Sequence, residues 1–130
     1  MSRGNLLRNA IFAAALLPGA ARAVTDQNFN ARTTEDLVAL CSADPADAKG
    51  SAAVNFCHGF TQGAVSVEME RSGANRQRRA FCFPNPSPSR TTTLEEFVKW
   101  AKANPAHMSD PPARGFFAFL SERFPCNANR

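Results

Sequence analysis

The stretch SAAVNFCHGFTQGAVSVEMER, residues 51–71, predicts the longest helix of the chain and sets the fold class. Its apolar residues recur at the three- and four-residue spacing of one buried helical face. They are Ala53, Phe56, Cys57, Phe60, Ala64 and Val67. The hydroxyl of Ser51 can cap the first turn. We therefore expect a helix from Ser51 to about Arg71 with this stripe facing the core.

Two glycines, Gly59 and Gly63, lie one turn apart in this predicted helix. Glycine in a helix interior costs up to about 1 kcal/mol relative to alanine. Two such residues therefore favour a neighbouring segment that packs very close to the backbone. A ligand lying against bare backbone is the functional alternative. We expect close helix packing at both positions.

A short helix is predicted before this stretch. The sequence TTED, residues 33–36, is typical of a helix N-terminus with acidic residues in its first turn. Leu37, Leu40 and Cys41 would share one face of this helix. The sequence SADPADAKGSA, residues 42–52, is rich in turn-forming residues, and we expect a loop there.

Two further helices are predicted in the second half of the chain. Thr92 and Glu95 have the spacing of a capping box, and that helix should stop before Pro105. Its inward residues would be Leu94, Phe97, Val98 and Ala101. The last helix should begin at Ser109 or Asp110, with Pro111 in its first turn. It would bury Ala113, Phe116, Phe117, Leu120 and Phe124.

The N-terminal 23 residues resemble a secretory signal peptide. Arg3 and Arg8 make a basic start before an apolar run, residues 10–17, and Ala21-Arg22-Ala23 has the small-x-small form of a cleavage site. The apolar run is too short to remain as a membrane-spanning helix. We expect residues 1–23 to be cleaved and the mature protein to be free of the membrane. Residues 24–32 would be a flexible N-terminus, 33–126 a single helical domain and 127–130 a tail.

The charge of the mature chain argues against a nucleic-acid partner. The whole sequence carries fifteen basic and eleven acidic residues. Cleavage would remove Arg3, Arg8 and Arg22 but no acidic residue, so the mature net charge would be +1. A nucleic-acid binder needs a strongly basic surface to release counterions. We therefore expect no nucleic-acid binding.

The four cysteines predict two disulfides. Cys41, Cys57, Cys82 and Cys126 are an even number in a small exported domain. Successive cysteines are separated by 16, 25 and 44 residues, whereas zinc ligands come in closely spaced pairs. Four cysteines allow three pairings, which the sequence does not distinguish. Our hypothesis is Cys57–Cys82 and Cys41–Cys126, since the chain after the long helix can return alongside it.

The sequence contains no pattern that indicates catalysis or a cofactor. Cys57 and His58 are adjacent, and neighbouring helical side chains point about 100° apart, so they would make a poor catalytic pair. There is no G-x-S-x-G, no H-E-x-x-H and no glycine-rich phosphate loop. We expect no catalytic residue, no metal and no cofactor.

A long connection, SGANRQRRAFCFPNPSPSR at residues 72–90, follows the long helix. Its prolines occupy positions 84, 86 and 88, and its arginines are Arg76, Arg78, Arg79 and Arg90. Long connections in compact domains tend to be functional or disordered. The segment is either a solvated basic loop or a contact surface for an acidic partner.

The fold class expected is all-α: a small four-helix bundle stapled by two disulfides, with a long Pro/Arg-rich loop after the second, long helix.

Five segments together resemble the type VI secretion amidase immunity proteins of the Tai kind. They are DLVALC (36–41), NFCHGFTQGA (55–64), FCFP (81–84), FVKWAKANP (97–105) and FFAFLSERFPC (116–126). The resemblance covers nearly the whole mature chain, with four cysteines in matching contexts. It implies a periplasmic, helical, disulfide-stabilised protein that is usually a homodimer. It further implies binding to an injected peptidoglycan amidase whose active-site cleft is plugged by a loop of the immunity protein.

The resemblance leaves the contact residues open. Our hypothesis is that the loop 76–90 makes the inhibitory contact through Arg76, Arg78, Arg79 and Arg90. The segment 106–113 is the competing site.

Other functions remain as alternatives. A periplasmic acid-stress chaperone of the HdeA type is also small, helical and disulfide-bonded, but a chain with eleven acidic residues has little visible basis for sensing acid. An envelope protein of unknown role and a thiol enzyme are the others.

Overall fold

A computed structural model describes residues 23–75 and 78–126 of the chain. The predicted signal peptide, apart from Ala23, lies outside these residues, as do Arg76 and the predicted tail 127–130. Within them the regular structure is entirely helical, which confirms the all-α class. The helices are α1 (Thr34–Cys41), α2 (Ala48–Ser72), α3 (Arg90–Ala103) and α4 (Pro112–Arg123), with 3-10 helices at Asp26–Asn30 and Pro105–His107.

Helix α1 is short but central, because it contacts each of the three longer helices. Leu37 and Leu40 are fully buried on it. Phenylalanine fills the space between α3 and α4: the ring of Phe97 lies 5.2 Å from that of Phe116 and 5.7 Å from that of Phe119. The apolar faces predicted for α1 and α3 are confirmed. The buried cluster comprises Leu37, Val38, Leu40, Ala53, Cys57, Phe81, Leu94, Phe97, Val98, Ala101, Phe116, Phe119, Leu120 and Phe124.

Three helices begin at residues other than those predicted. In α2 and α3 a different side chain caps the first turn, and in α4 the first helical residue lies further along the chain. Asp47 accepts a hydrogen bond from the Gly50 N–H at 2.8 Å, so α2 begins at Ala48. Ser89 accepts from the Thr92 N–H at 3.1 Å, so α3 begins at Arg90 and the predicted Thr92 capping box is wrong. Helix α4 begins at Pro112, two or three residues after the predicted start at Asp110 or Ser109.

The buried face of α2 differs from the predicted stripe at its C-terminal end. Ala53 and Cys57 are buried as expected, but Val67 is 68% exposed. The inner positions further along are polar: Thr61, Glu68 and Ser72, which the structure buries. The second half of α2 therefore packs through hydrogen-bonding groups, which an apolar periodicity does not register.

The predicted close packing at Gly59 and Gly63 is wrong. A Cβ atom placed on either glycine would meet no atom within 4 Å, so both face open space. Close packing occurs instead at Gly115 of α4, where a Cβ atom would lie 2.7 Å from Thr34 Cγ2. Thr34 is fully buried and fixed, because its N–H donates to the Asp110 carbonyl at 2.8 Å.

The two disulfides are present, but the pairing we hypothesised is wrong. The bonds join Cys41 to Cys57, with 5.1 Å between the Cα atoms, and Cys82 to Cys126, with 4.9 Å. The reason is local. The connection between α1 and α2 is only six residues long, and it places the last residue of α1 against the third turn of α2. Each bond therefore joins cysteines that follow one another in the sequence.

Residues 24–32, for which the sequence predicts flexibility, include the 3-10 helix Asp26–Asn30. Phe29 packs edge-on against Phe56 of α2, with 5.8 Å between ring centroids. Asn28 Nδ2 donates to Asp36 Oδ1 at 3.0 Å. This segment is therefore attached to α1 by a polar contact and to α2 by an apolar contact.

The two glycine environments predict opposite effects of adding a methyl group. Gly63→Ala should raise the free energy of unfolding by about 1 kcal/mol, because it removes backbone freedom from the unfolded chain at no steric cost. Gly115→Ala should lower it by roughly 2 kcal/mol, because the methyl group collides with Thr34. Urea unfolding followed by circular dichroism measures both. A destabilised Gly63→Ala variant would restore the close-packing interpretation.

The sizes of the two disulfide-closed rings predict how much each bond contributes to the free energy of unfolding. Removing the Cys82–Cys126 bond by a double alanine substitution should cost roughly 4 kcal/mol of unfolding free energy in the loop-entropy model. Removing Cys41–Cys57, which closes a shorter ring, should cost roughly 3 kcal/mol. Non-reducing peptide mapping of the wild-type protein checks the pairing itself. A recovered Cys57–Cys82 peptide would contradict the structure.

Candidate functional site

The connection between α2 and α3 has three parts that differ in exposure. The first, residues 74–80, is the basic segment, and its described residues Arg79 and Ala80 bond Gly73 and Glu68 at the C-terminal end of α2. The second, Phe81 to Phe83, is the anchor, and Phe81 is only 1% exposed. The third, residues 84–88, is the proline tip, in which residues 84–87 are exposed. The long loop predicted by the sequence is thus fixed to the core at its middle.

The anchor attaches the loop to the C-terminal end of α4. The Cys82 N–H donates to the Phe124 carbonyl at 2.8 Å, and the disulfide to Cys126 lies alongside. The ring of Phe83 lies 5.1 Å from that of Phe124, and the ring of Phe81 lies 5.8 Å from that of Phe117. A backbone hydrogen bond, a covalent bond and two ring contacts therefore hold three consecutive residues.

A buried carboxylate on α2 holds the basic segment. Glu68 is 4% exposed, and its carboxylate accepts hydrogen bonds from the Ala80 N–H and from Arg71 Nε, each at 3.0 Å. Burial by itself raises the pKa of Glu68. The hydrogen bonds from Ala80 and Arg71, together with the Arg71 charge, outweigh burial and hold the pKa below its ordinary value. Arg79 Nη2 also donates to the Gly73 carbonyl at 2.9 Å.

The proline tip projects between two fixed points. Phe83 of the anchor precedes it, and Ser89, the N-cap of α3, follows it. Between them the Asn85-Pro86 peptide bond is cis, and Ser87 Oγ donates to the Pro84 carbonyl at 3.3 Å. The tip therefore exposes a short proline-rich surface with fixed ends.

The described arginines of the predicted cluster lie in two separate places. Arg78 is exposed and Arg79 half-buried, and both belong to the basic segment near Gly73. Arg90 is the exposed first residue of α3, on the other side of the anchor and the tip. Neither Arg78 nor Arg90 has an acidic partner within the two described ranges. Arg76 lies outside those ranges.

A groove of about 220 Å³ lies between the proline tip, the middle of α2 and the start of α3. We call it the tip groove. Its walls are mainly apolar, and Arg90 is the one charged residue at its rim. It is lined by Thr61, Gln62, Val65, Phe83, Ser87, Pro88, Arg90, Thr93, Leu94 and Phe116.

The competing segment, 106–113, is a compact turn attached to α1. The Glu35 N–H donates to the Met108 carbonyl at 3.0 Å, next to the bond from Thr34 to Asp110. His107 stacks on Trp100 with 5.1 Å between ring centroids, and its Nδ1 lies 2.8 Å from Asp110 Oδ2. Ala106, Ser109 and Pro111 are the exposed residues of this turn, and the His107 side chain is 40% exposed.

The structure also bears on chemistry at Cys57 and His58. The Cys57 sulfur is bonded to Cys41, so it is not available as a nucleophile beside His58. Within residues 23–75 and 78–126 no group of three His, Cys, Asp or Glu side chains could hold a metal ion. No helix in the same part of the chain has the length and apolar character needed to cross a membrane.

Sequence reasoning missed Glu68 and the α2 side of the tip groove. The signal was present for Glu68: it lies on the inner face one turn beyond Ala64, and Arg71 follows three residues later. An acidic residue in that register with a nearby arginine is typical of a buried, paired carboxylate. Thr61, Gln62 and Val65 had no comparable signal, because the groove depends on where the tip returns.

The Glu68 carboxylate predicts a pH dependence of stability. A lowered native pKa stabilises the fold above the unfolded pKa of about 4.3, and this stabilisation is lost as the pH falls through the native value. Glu68→Gln should therefore cost roughly 2 kcal/mol of unfolding free energy at pH 7 and less at pH 3. Urea unfolding at both pH values measures this. Glu70→Gln, an exposed neighbour, is the control, and equal losses for the two variants would contradict the role of Glu68.

Comparison with known proteins agrees with the resemblance in the sequence. The family model of the Rap1a immunity proteins matches residues 33–126, which include all four helices and the whole loop. No curated protein and no solved structure matches the chain. The match covers well over half of the 130 residues and confirms the predicted immunity family. The chain therefore belongs to the Rap1a immunity proteins, a type VI secretion immunity family.

Proposed function

We propose that this protein is a periplasmic immunity protein that binds a peptidoglycan amidase delivered by type VI secretion and blocks its active-site cleft. Membership of an immunity family supports a toxin effector as the partner. The amidase and the cleft come from the resemblance of five sequence segments to the Tai kind. Blocking a cleft needs binding only, so no catalytic group is required in the immunity protein.

The observation that carries the proposal is the proline tip. It is exposed over residues 84–87 and fixed at both ends, by the Cys82 attachment on one side and the Ser89 cap on the other. A segment that is already ordered loses little conformational entropy on binding. We therefore propose that this short exposed segment enters the toxin's cleft.

Two exposed arginines favour a toxin whose contact surface is acidic. Arg78 and Arg90 lie on either side of the anchor and carry charges without an ion-pair partner in the described chain. Such charges steer and orient a partner of opposite sign. We include Arg76 in the contact surface as well. Arg79 contributes by holding the basic segment through its bond to the Gly73 carbonyl.

The competing segment 106–113 has less support as the inhibitory site. Its backbone bonds to α1 hold it close to the bundle, and its His107 is stacked on Trp100. The proline tip has no such bond to a helix over residues 84–87. We therefore assign the inhibitory contact to the loop between α2 and α3.

The proposed compartment follows from the disulfides and from the N-terminal segment. All four cysteines are paired, and disulfides persist mainly outside the cytosol. The predicted signal peptide would carry the chain there. Family membership also separates the proposal from the acid-stress chaperone, since it points to a toxin partner rather than to unfolded clients.

The proposal is tested with the papain-like amidase expected to be encoded beside this chain. The mature protein should inhibit peptidoglycan hydrolysis at equimolar amounts. The double variant Arg78→Ala/Arg90→Ala should bind at least tenfold more weakly, corresponding to about 1.4 kcal/mol, because two partner-facing charges are lost. Arg114→Ala, which removes an exposed arginine of α4, is the control.

Two results would contradict the proposal. Full hydrolysis in the presence of excess immunity protein would remove the amidase as the partner. Unchanged affinity of the arginine variant, together with a loss for Ala106→Arg/Ser109→Arg, would move the contact to the competing segment. The hydrolysis assay gives the first result, and isothermal titration calorimetry of the variants gives the second.

We also propose the homodimer that the resemblance implies. Light scattering on the purified mature protein should give twice the mass of one chain. A monomer mass at micromolar concentration would leave the toxin assignment intact and remove the dimer from the proposal.

A further inference from the structure

We propose that the tip groove accepts an aromatic side chain of the toxin that lies next to a carboxylate, with Arg90 binding the carboxylate. This inference rests on the proposed function, because it names the part of the toxin surface that the groove recognises. It adds a specificity site beside the proline tip.

The volume of the groove suits one side chain. Its volume is about 220 Å³, and an apolar cavity of about 150 Å³ is enough to bind benzene. Leu94 and Phe116 form buried walls, each at most 6% exposed. Phe83 is held in place by contacts with Phe81 at 5.2 Å and Phe124 at 5.1 Å. The groove is therefore a fixed apolar recess.

The polar groups that line the groove are already bonded within the protein. Thr61 Oγ1 donates to the Cys57 carbonyl at 2.8 Å, and Thr93 Oγ1 donates to the Ser89 carbonyl at 2.9 Å. Ser87 donates to the Pro84 carbonyl. Gln62 Nε2 donates to Ser66 Oγ at 3.3 Å. The hydroxyl donors of Thr61, Thr93 and Ser87 are therefore satisfied without a ligand, and Gln62 uses one of its two amide N–H groups.

Arg90 is the exception among the lining residues. Its guanidinium makes no hydrogen bond and no ion pair with residues 23–75 and 78–126. No acidic residue lines the groove, so the charge at the rim is positive. Apolar walls beside one free guanidinium are complementary to an aromatic ring that carries a neighbouring carboxylate.

A small probe tests the groove without the toxin. Titration of the ¹⁵N-labelled protein with 3-phenylpropionate should shift the amide signals of Val65, Phe83 and Leu94 saturably. For a fragment of this size the expected Kd is on the order of a few millimolar. The neutral analogue 3-phenylpropanamide has the same shape and should bind roughly fourfold more weakly, since an exposed ion pair contributes little more than this.

Matched variants separate the ring from the charge. Arg90→Gln should remove the preference for the acid over the amide, while Arg114→Gln should keep it. Val65→Phe fills the groove and should abolish binding of both probes, while Val67→Phe, on the exposed side of α2, should not. Gln62→Trp at the groove rim replaces Val65→Phe should the latter lose its native circular dichroism spectrum.

The outcomes also separate this inference from the proposed function. Amidase inhibition by wild-type protein together with a tenfold loss for Val65→Phe supports both. Wild-type inhibition with an unchanged Val65→Phe variant overturns the groove and leaves the proposed function intact. Equal affinity for acid and amide, or shifts away from the groove, also overturns it. Loss of a dimer in Val65→Phe would assign the groove to a second copy of the chain and overturn the inference.

Discussion

The attachment of Cys82 to the end of α4 is the constraint on which the functional loop depends. Its N–H bonds the Phe124 carbonyl at 2.8 Å, and its sulfur is joined to Cys126. Without this attachment, residues 73–89 would be one long connection whose ends alone were fixed. Because the middle is held, the chain becomes two short spans, and the entropy of each is small. The exposed residues 84–87 can then keep one conformation without packing of their own.

The bundle supports this loop with polar as well as apolar contacts. Glu68 occupies an inner position of α2 and binds the backbone of residue 80, while the phenylalanines of the anchor enter the core. A charge that is buried and fully bonded is costly to disturb, since removal of a partner leaves it uncompensated. Part of the interior therefore fixes the position of the loop on the surface. This arrangement is consistent with a binding role.

The sequence predicted the class and number of helices because apolar periodicity in α1, α3 and α4 is determined locally. It predicted the disulfide pairing wrongly because pairing depends on how consecutive helices turn, and the six-residue connection after Cys41 brings it to Cys57. Whether a helical glycine is closely packed also depends on the arrangement of the helices. Gly63 faces solvent whereas Gly115 touches Thr34, and only the packing of α1 on α4 distinguishes them. The tip groove joins residues far apart in sequence, so no local pattern could indicate it.

The order of the disulfides along the chain has a consequence for biosynthesis. The rings 41–57 and 82–126 neither overlap nor enclose one another. A nascent chain therefore completes its first partner pair before the third thiol has been made, and oxidation of neighbours in order of appearance gives the native linkage. No reshuffling by an isomerase is required along that route. The two halves become cross-linked separately, and no disulfide joins one half to the other.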